Sequence, residues 1–120
     1  MEDTSRNDAL ALCAALEDKG AGAVTALGLG PECSWASYLV IGTATSGTHM
    51  RGLAKAAAQA ASERDMSLRN SSKSVADNGW LLLDCGDVVV NLMDSETREY
   101  YALEDLWYEA ERVYQSSRSS

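Results

Sequence analysis

The run Tyr38-Leu39-Val40-Ile41-Gly42 sets the strongest limit on what this chain can fold into. It lacks the polar alternation of a strand with one wet face, so it reads as a central strand of a sheet covered on both sides. Helices to cover it are legible nearby. After Thr43-Ala44-Thr45-Ser46, residues Met50, Leu53, Ala54, Ala57 and Ala61 recur on one helical face, with Arg51, Lys55, Gln59 and Arg64 toward solvent. The many alanines would let this helix lie close to the sheet. Upstream, Ser5 and Asp8 have capping-box spacing, and Ala9, Leu12, Cys13 and Leu16 fall at i, i+3, i+4 and i+7. Residues 6 to 19 therefore read as an amphipathic helix ended by Gly20 and Gly22.

Further strands follow from composition and turn chemistry. Ala23 to Leu29 suits a short strand, with turn residues from Gly30 to Ser34. Met66 to Asn70 is a weak strand candidate, whereas Asn70 to Ser74 and Ala76 to Gly79 read as loop. Trp80 to Asp84 and Val88 to Met93, separated by Cys85-Gly86-Asp87, have the spacing of a hairpin. Leu103, Leu106, Trp107 and Ala110 mark a last helix, closing the core, before a Ser-rich tail. The order predicts an α+β fold: a single domain with one mixed sheet of about five strands and helices packed on it. Its boundaries are an N-terminal extension over 1–5, the domain over 6–112 and a flexible tail over 113–120.

Composition removes several function classes. At 120 residues with 46% hydrophobic content the chain suits one core. No apolar run reaches the ~18 to 20 residues that cross a bilayer, and the N-terminus lacks a signal-peptide pattern, which predicts a soluble, unexported protein. Cys13, Cys33 and Cys85 with the single His49 are too scattered for a disulfide framework or a Cys/His metal site, so no metal and no cofactor is expected. The formal net charge of -8 opposes general nucleic-acid affinity. Residues 1 to 74 hold 8 acids and 7 bases, whereas residues 75 to 120 hold 10 acids and 3 bases. The C-terminal part is thus an acidic surface, suited to a basic protein partner.

The segment from Asn78-Gly79-Trp80 through Asp84-Cys85-Gly86-Asp87-Val88-Val89-Val90-Asn91, continued by Arg98-Glu99-Tyr100-Tyr101-Ala102-Leu103-Glu104-Asp105-Leu106-Trp107, resembles the ribosome silencing factor family, the Iojap type. Tyr38 to Ser46 is similar to that family's second strand and following turn. The likeness spans roughly residues 8 to 110. It departs at Ser37, where the family usually has Asp, at Asn91, where it usually has His, and in lacking a recognisable Glu-Gly before the Trp strand. The resemblance implies a fold distantly similar to nucleotidyltransferases. It implies a cytoplasmic, non-enzymatic protein that binds the large ribosomal subunit through ribosomal protein uL14 and blocks joining with the small subunit, repressing translation. The family's members often self-associate, so the resemblance also leaves a homodimer open. Neither a membrane nor sequence-specific nucleic-acid binding is implied. The partner-binding residues it points to are Trp80, Leu81, Asp84, Cys85 and Asp87.

Each candidate has a plainer reading beside the functional one. Trp80 can be a core residue, although alternation puts Trp80, Leu82 and Asp84 on one face and Leu81 and Leu83 on the other. The face ending in Asp84 is the wetter of the two. Asp84 and Asp87 can cap backbone N–H groups of the turn, and Arg98 can form a local ion pair with Glu96, Glu99 or Glu104. The alternative function is a divergent nucleotidyltransferase-like enzyme or nucleotide-binding module. Gly42 to Gly47 supplies a fitting turn for it, but no carboxylate pair follows, and His49 reads as a surface residue at a helix start.

Overall fold

A computed structural model describes residues 4–29, 37–64, 70–75, 80–85, 88–101 and 111–115. Its elements are α1 (Thr4–Asp18), β1 (Gly22–Gly28), β2 (Tyr38–Ala44), α2 (Gly47–Glu63), β3 (Asn70–Val75), β4 (Trp80–Asp84), β5 (Val88–Asp94), α3 (Ser95–Tyr101) and β6 (Glu111–Gln115). One mixed sheet has the order β3-β4-β5-β2-β1-β6. The central pair β2 and β5 is parallel, from Tyr38 opposite Val88 to Ala44 opposite Asp94. The other pairings are antiparallel.

The α+β class and single mixed sheet stand as expected. All seven residues of β2 are buried, as a strand at the middle of a doubly covered sheet must be. Tyr38, Val40 and Ala44 belong to the larger core cluster beneath α1 and α2, whereas Leu39 and Ile41 join Leu27, Leu29, Val89 and Met93 on the opposite face. The helical faces also match: Ala9, Leu12, Cys13 and Leu16 of α1 are buried, as are Met50, Leu53, Ala54, Ala57 and Ala61 of α2. Each buried Leu contributes about 1.5 to 3 kcal/mol.

Local chemistry fixes the helix ends. The backbone of Gly20 has φ 88°, and Ala21 N–H donates to Leu16 O at 3.0 Å while Gly20 N–H donates to Glu17 O at 3.0 Å. This double reverse bond needs a left-handed residue, which Gly adopts without a Cβ penalty. Ser46 caps α2, its hydroxyl accepting from His49 N–H at 3.0 Å. α1 starts at Thr4, so Ser5 lies inside the helix and the capping-box reading fails. Asp8 instead meets Arg64 at 2.6 Å. Gly42 allows α1 close to β2, because a Cβ there would sit 3.3 Å from Leu92 Cδ2 and 3.5 Å from Leu16 Cδ1.

Among the described residues the sheet has six strands, against about five expected, and the additional pairing occurs at its edges. Residues 70–75, read as loop from their Asn-Ser-Ser-Lys-Ser chemistry, form β3 against β4. Polar residues are poor strand formers in isolation, but an edge strand is held by ladder hydrogen bonds and tolerates polarity. Residues 111–115 form β6 against β1, with Tyr114 opposite Ala26. Residues 113–115, expected in the tail, are therefore sheet. Residues 4 and 5, expected in the extension, belong to α1. Leu103, Leu106, Trp107 and Ala110 lie outside the described residues, as do 66–69 and 76–79.

Candidate docking surface

The hairpin forms in the expected antiparallel register, with Trp80 opposite Met93, Leu82 opposite Asn91 and Asp84 opposite Val89. Cys85 N–H closes it by donating to Val88 O at 2.9 Å. Gly86 and Asp87 lie outside the described residues, and only the backbone positions of Trp80 and Asp84 are described.

Strand alternation sorts the remaining candidates. Leu81 and Leu83, each 2% exposed, and Cys85, 1% exposed, are packed in the α1/α2 core. Leu81 and Cys85 therefore underpin the hairpin from the core side. Leu82 is only partly buried, against the second core cluster. The face that alternation marks as the wetter one is indeed less enclosed at Leu82. Nor is β4 a free edge, because β3 pairs along its outer side with Val75 opposite Trp80 and Asn70 opposite Asp84. A dimer through the β4 edge is closed by those ladder bonds.

Asn91 lies on the same face as Leu82, between it and Ile41 in the adjacent strands. It is 4% exposed, and its Oδ1 is buried without a hydrogen-bond partner among the described residues. An orphan acceptor of this kind costs about 1 to 3 kcal/mol.

Arg98 makes contacts well beyond its chain neighbours. It is 8% exposed, and its guanidinium donates to Thr43 Oγ1 at 2.9 Å and Thr25 Oγ1 at 3.2 Å. Thr25 in turn donates to Ala23 O at 3.3 Å, beside a β1 irregularity where Ala23 has φ 47°. Arg98 thereby ties α3 to the sheet face opposite α1 and α2. Asp94 caps α3, accepting from Thr97 N–H at 2.7 Å. Sequence reasoning missed the Arg98 contacts because their partners lie 55 and 73 residues away. The threonines interrupting the apolar face of β1 and β2 were the only available signal.

His49 also proves more than a surface residue. Thr45 N–H donates to its Nδ1 at 3.0 Å, so Nε2 carries the proton and donates to Lys19 O at 3.0 Å. The ring joins the start of α2 to the end of α1. At α1, burial and then the Glu17 carboxylate push the Cys13 thiol up to about 12. Tyr114 donates to Glu17, and that bond raises its phenol to about 12. Both groups are neutral at physiological pH. Among the described residues, no three His, Cys, Asp or Glu side chains form a ligand set. Among those residues, too, no helix is long and apolar enough to cross a membrane.

Fold and site together define a small α+β domain in which α1 and α2 cover one sheet face, α3 lies on the other, and a strand-turn-strand unit lies near one edge. The family described as "Ribosomal silencing factor during starvation" matches residues 2–120, and the chain belongs to that family. It is 31% identical to the ribosomal silencing factor of Bacillus subtilis over 97 residues, covering 81% of each chain. It is 32% identical to an Iojap-related mitochondrial protein of Arabidopsis thaliana, covering 77% of this chain and 52% of the relative. It is also 33% identical to a mouse protein named for mitochondrial assembly of the ribosomal large subunit, covering 80% and 43%. The chain thus spans about half the length of these last two relatives. A crystal structure from Chromobacterium violaceum superposes with TM-score 0.80 at 27% identity, covering 90% of this chain and 88% of that one.

Proposed function

We infer that this chain is a cytoplasmic ribosome silencing factor that docks on the large ribosomal subunit through ribosomal protein uL14 and sterically prevents joining with the small subunit. The observation that carries this reading is the family match over residues 2–120, and the hairpin geometry supports it. Leu81 and Cys85 are fixed in the core, which braces the β4–β5 turn. Trp80, Asp84 and Asp87 would then be the contact residues. An aromatic anchor beside a desolvated carboxylate governs dissociation, while the acidic C-terminal part steers approach to a basic protein. A 12.9 kDa body seated on the subunit interface obstructs joining without catalysis. A homodimer competing with docking, also part of this reading, would pair through β3 or β6, the strands at the ends of the sheet order.

The test is cosedimentation with purified large subunits together with a subunit-joining assay. Trp80→Ala or Asp84→Ala should weaken binding by about 1 to 2 kcal/mol or more with the fold retained, and joining should recover in step. Parental binding and parental inhibition by both variants would refute this docking surface.

A further inference from the structure

Among the described residues, one buried side-chain acceptor is left without a partner, the Oδ1 of Asn91. The sheet defines its place. Leu82 is its partner in β4 and Ile41 its partner in β2, and residues paired across a ladder share a face. Val89 and Met93, the neighbours of Asn91 on that face, are buried in an apolar cluster. The other buried polar groups described there, Thr25, Thr43 and Arg98, are bonded to one another. Asn91 is the group that folding leaves unused.

The β4 side of this row is its open side. Leu82 is only partly buried, whereas Ile41 is fully enclosed. Trp80 and Asp84 stand before and after Leu82 along β4, opposite Met93 and Val89. Both therefore occupy register positions diagonal to Asn91, and such neighbours are about 7 to 8 Å apart, within reach of one long side chain. The segment assigned above to docking is thus centred on the residue beside the unpaired acceptor.

An acceptor dehydrated on folding and left unpaired destabilises the free chain, and local rules are broken in this way chiefly at functional sites. We propose that Asn91 is a recognition residue for docking: its Oδ1 accepts a hydrogen bond from a Lys or Arg side chain of the basic docking protein, which enters over Leu82 between the positions of Trp80 and Asp84. This rests on the reading of the β4 face as the docking surface. Lys and Arg fit because they only donate, and because their long stems lie along apolar surface such as Leu82 while the head reaches a polar group. The 10 acids against 3 bases over residues 75 to 120 draw a partner rich in them. The carboxylate of Asp84, a contact residue in the same reading, offsets the charge of the entering group as its water is lost. A partner without such a donor leaves Oδ1 unpaired, so Asn91 adds selectivity as well as affinity.

The full chain would be titrated against purified large subunits and, separately, against isolated uL14. Asn91→Leu, which keeps the volume and removes the acceptor, should weaken binding to both at least about tenfold, the size of a lost hydrogen bond to a charged donor, while its Tm rises. Stability and affinity then move in opposite directions, which a purely structural Asn would not produce. Ile41→Val, which perturbs the same apolar cluster from the β2 side, should bind as the parent does. Asn91→Leu combined with Asp84→Asn should lose less than the product of the two separate factors, because both act on one donor. Parental affinity of Asn91→Leu would overturn the proposal. So would an equal loss in Ile41→Val, losses that simply multiply in the double variant, or a loss seen with subunits but not with uL14, which would put the donor on RNA. If Trp80→Ala weakens binding and Asn91→Leu does not, the docking surface stands and the Asn91 contact fails. If the parent binds neither probe, the docking reading fails and the contact with it.

Discussion

Replacing Asn91 by Leu should make this protein more stable. The carboxamide Oδ1 is buried with no hydrogen-bond partner among the described residues, so the folded state bears the cost of dehydrating an acceptor that finds no donor there. Leu has nearly the same shape, and the site is already apolar: Leu82 and Ile41 lie opposite, and Val89 and Met93 are the next residues on the same face. Removing the orphan group should return about 1 to 3 kcal/mol. Unfolding entropy of about 2.1 cal/mol/K per residue gives roughly 0.25 kcal/mol/K for 120 residues. Dividing the one by the other predicts a rise in Tm of about 4 to 12 °C. Differential scanning calorimetry with urea denaturation would measure it, with the far-ultraviolet circular dichroism spectrum as a check on the fold. A Tm equal to or below the parent's, in a variant with the parental spectrum, would refute the reasoning. The oxygen would then have to gain in the native protein what the geometry denies it.

Three further outcomes are expected. Arg98→Met, which keeps the aliphatic stem but removes the donors to buried Thr25 and Thr43, should cost about 2 to 4 kcal/mol in urea denaturation, and a double-mutant cycle with Thr43→Val should show positive coupling; a loss below about 1 kcal/mol would contradict the burial. His49→Ala removes one tie from α2 to the end of α1 and one to Thr45 in the turn before α2, and should cost about 1 to 2 kcal/mol, with faster hydrogen exchange in the first turn of α2. The folded pKa values of Cys13 and Tyr114 lie near 12, above their ordinary values of 9.0 and 10.0, so their stabilising contribution is complete below about pH 9 and fades as pH rises toward 12. Urea midpoints measured across that range should fall, and Cys13→Ala should flatten the earlier part of the decline.

Sequence by itself determined the features that depend on periodicity. A helical face is written in residues three and four apart, so the buried sets of α1 and α2 were legible in full, and the alternation of β4 correctly separated Leu81 and Leu83 from Leu82. The hairpin was legible because its turn is short and its register follows from the turn. Tertiary structure decided what depends on distant partners. β3 and β6 exist because β4 and β1 offered unpaired ladder groups, and nothing in Asn70–Val75 or Glu111–Gln115 announces that offer locally. Arg98 was read beside its acidic chain neighbours, yet folding brings Thr43 and Thr25 within reach while excluding water, and buried guanidinium donors must be satisfied there. The same holds for the candidate site. The segment from Trp80 to Asp87 was visible as a motif, but only packing could show that Leu81 and Cys85 face inward and that β3 encloses β4. The physical reason is that backbone periodicity is a property of adjacent residues, whereas burial and pairing are set by whatever surface the rest of the chain brings alongside.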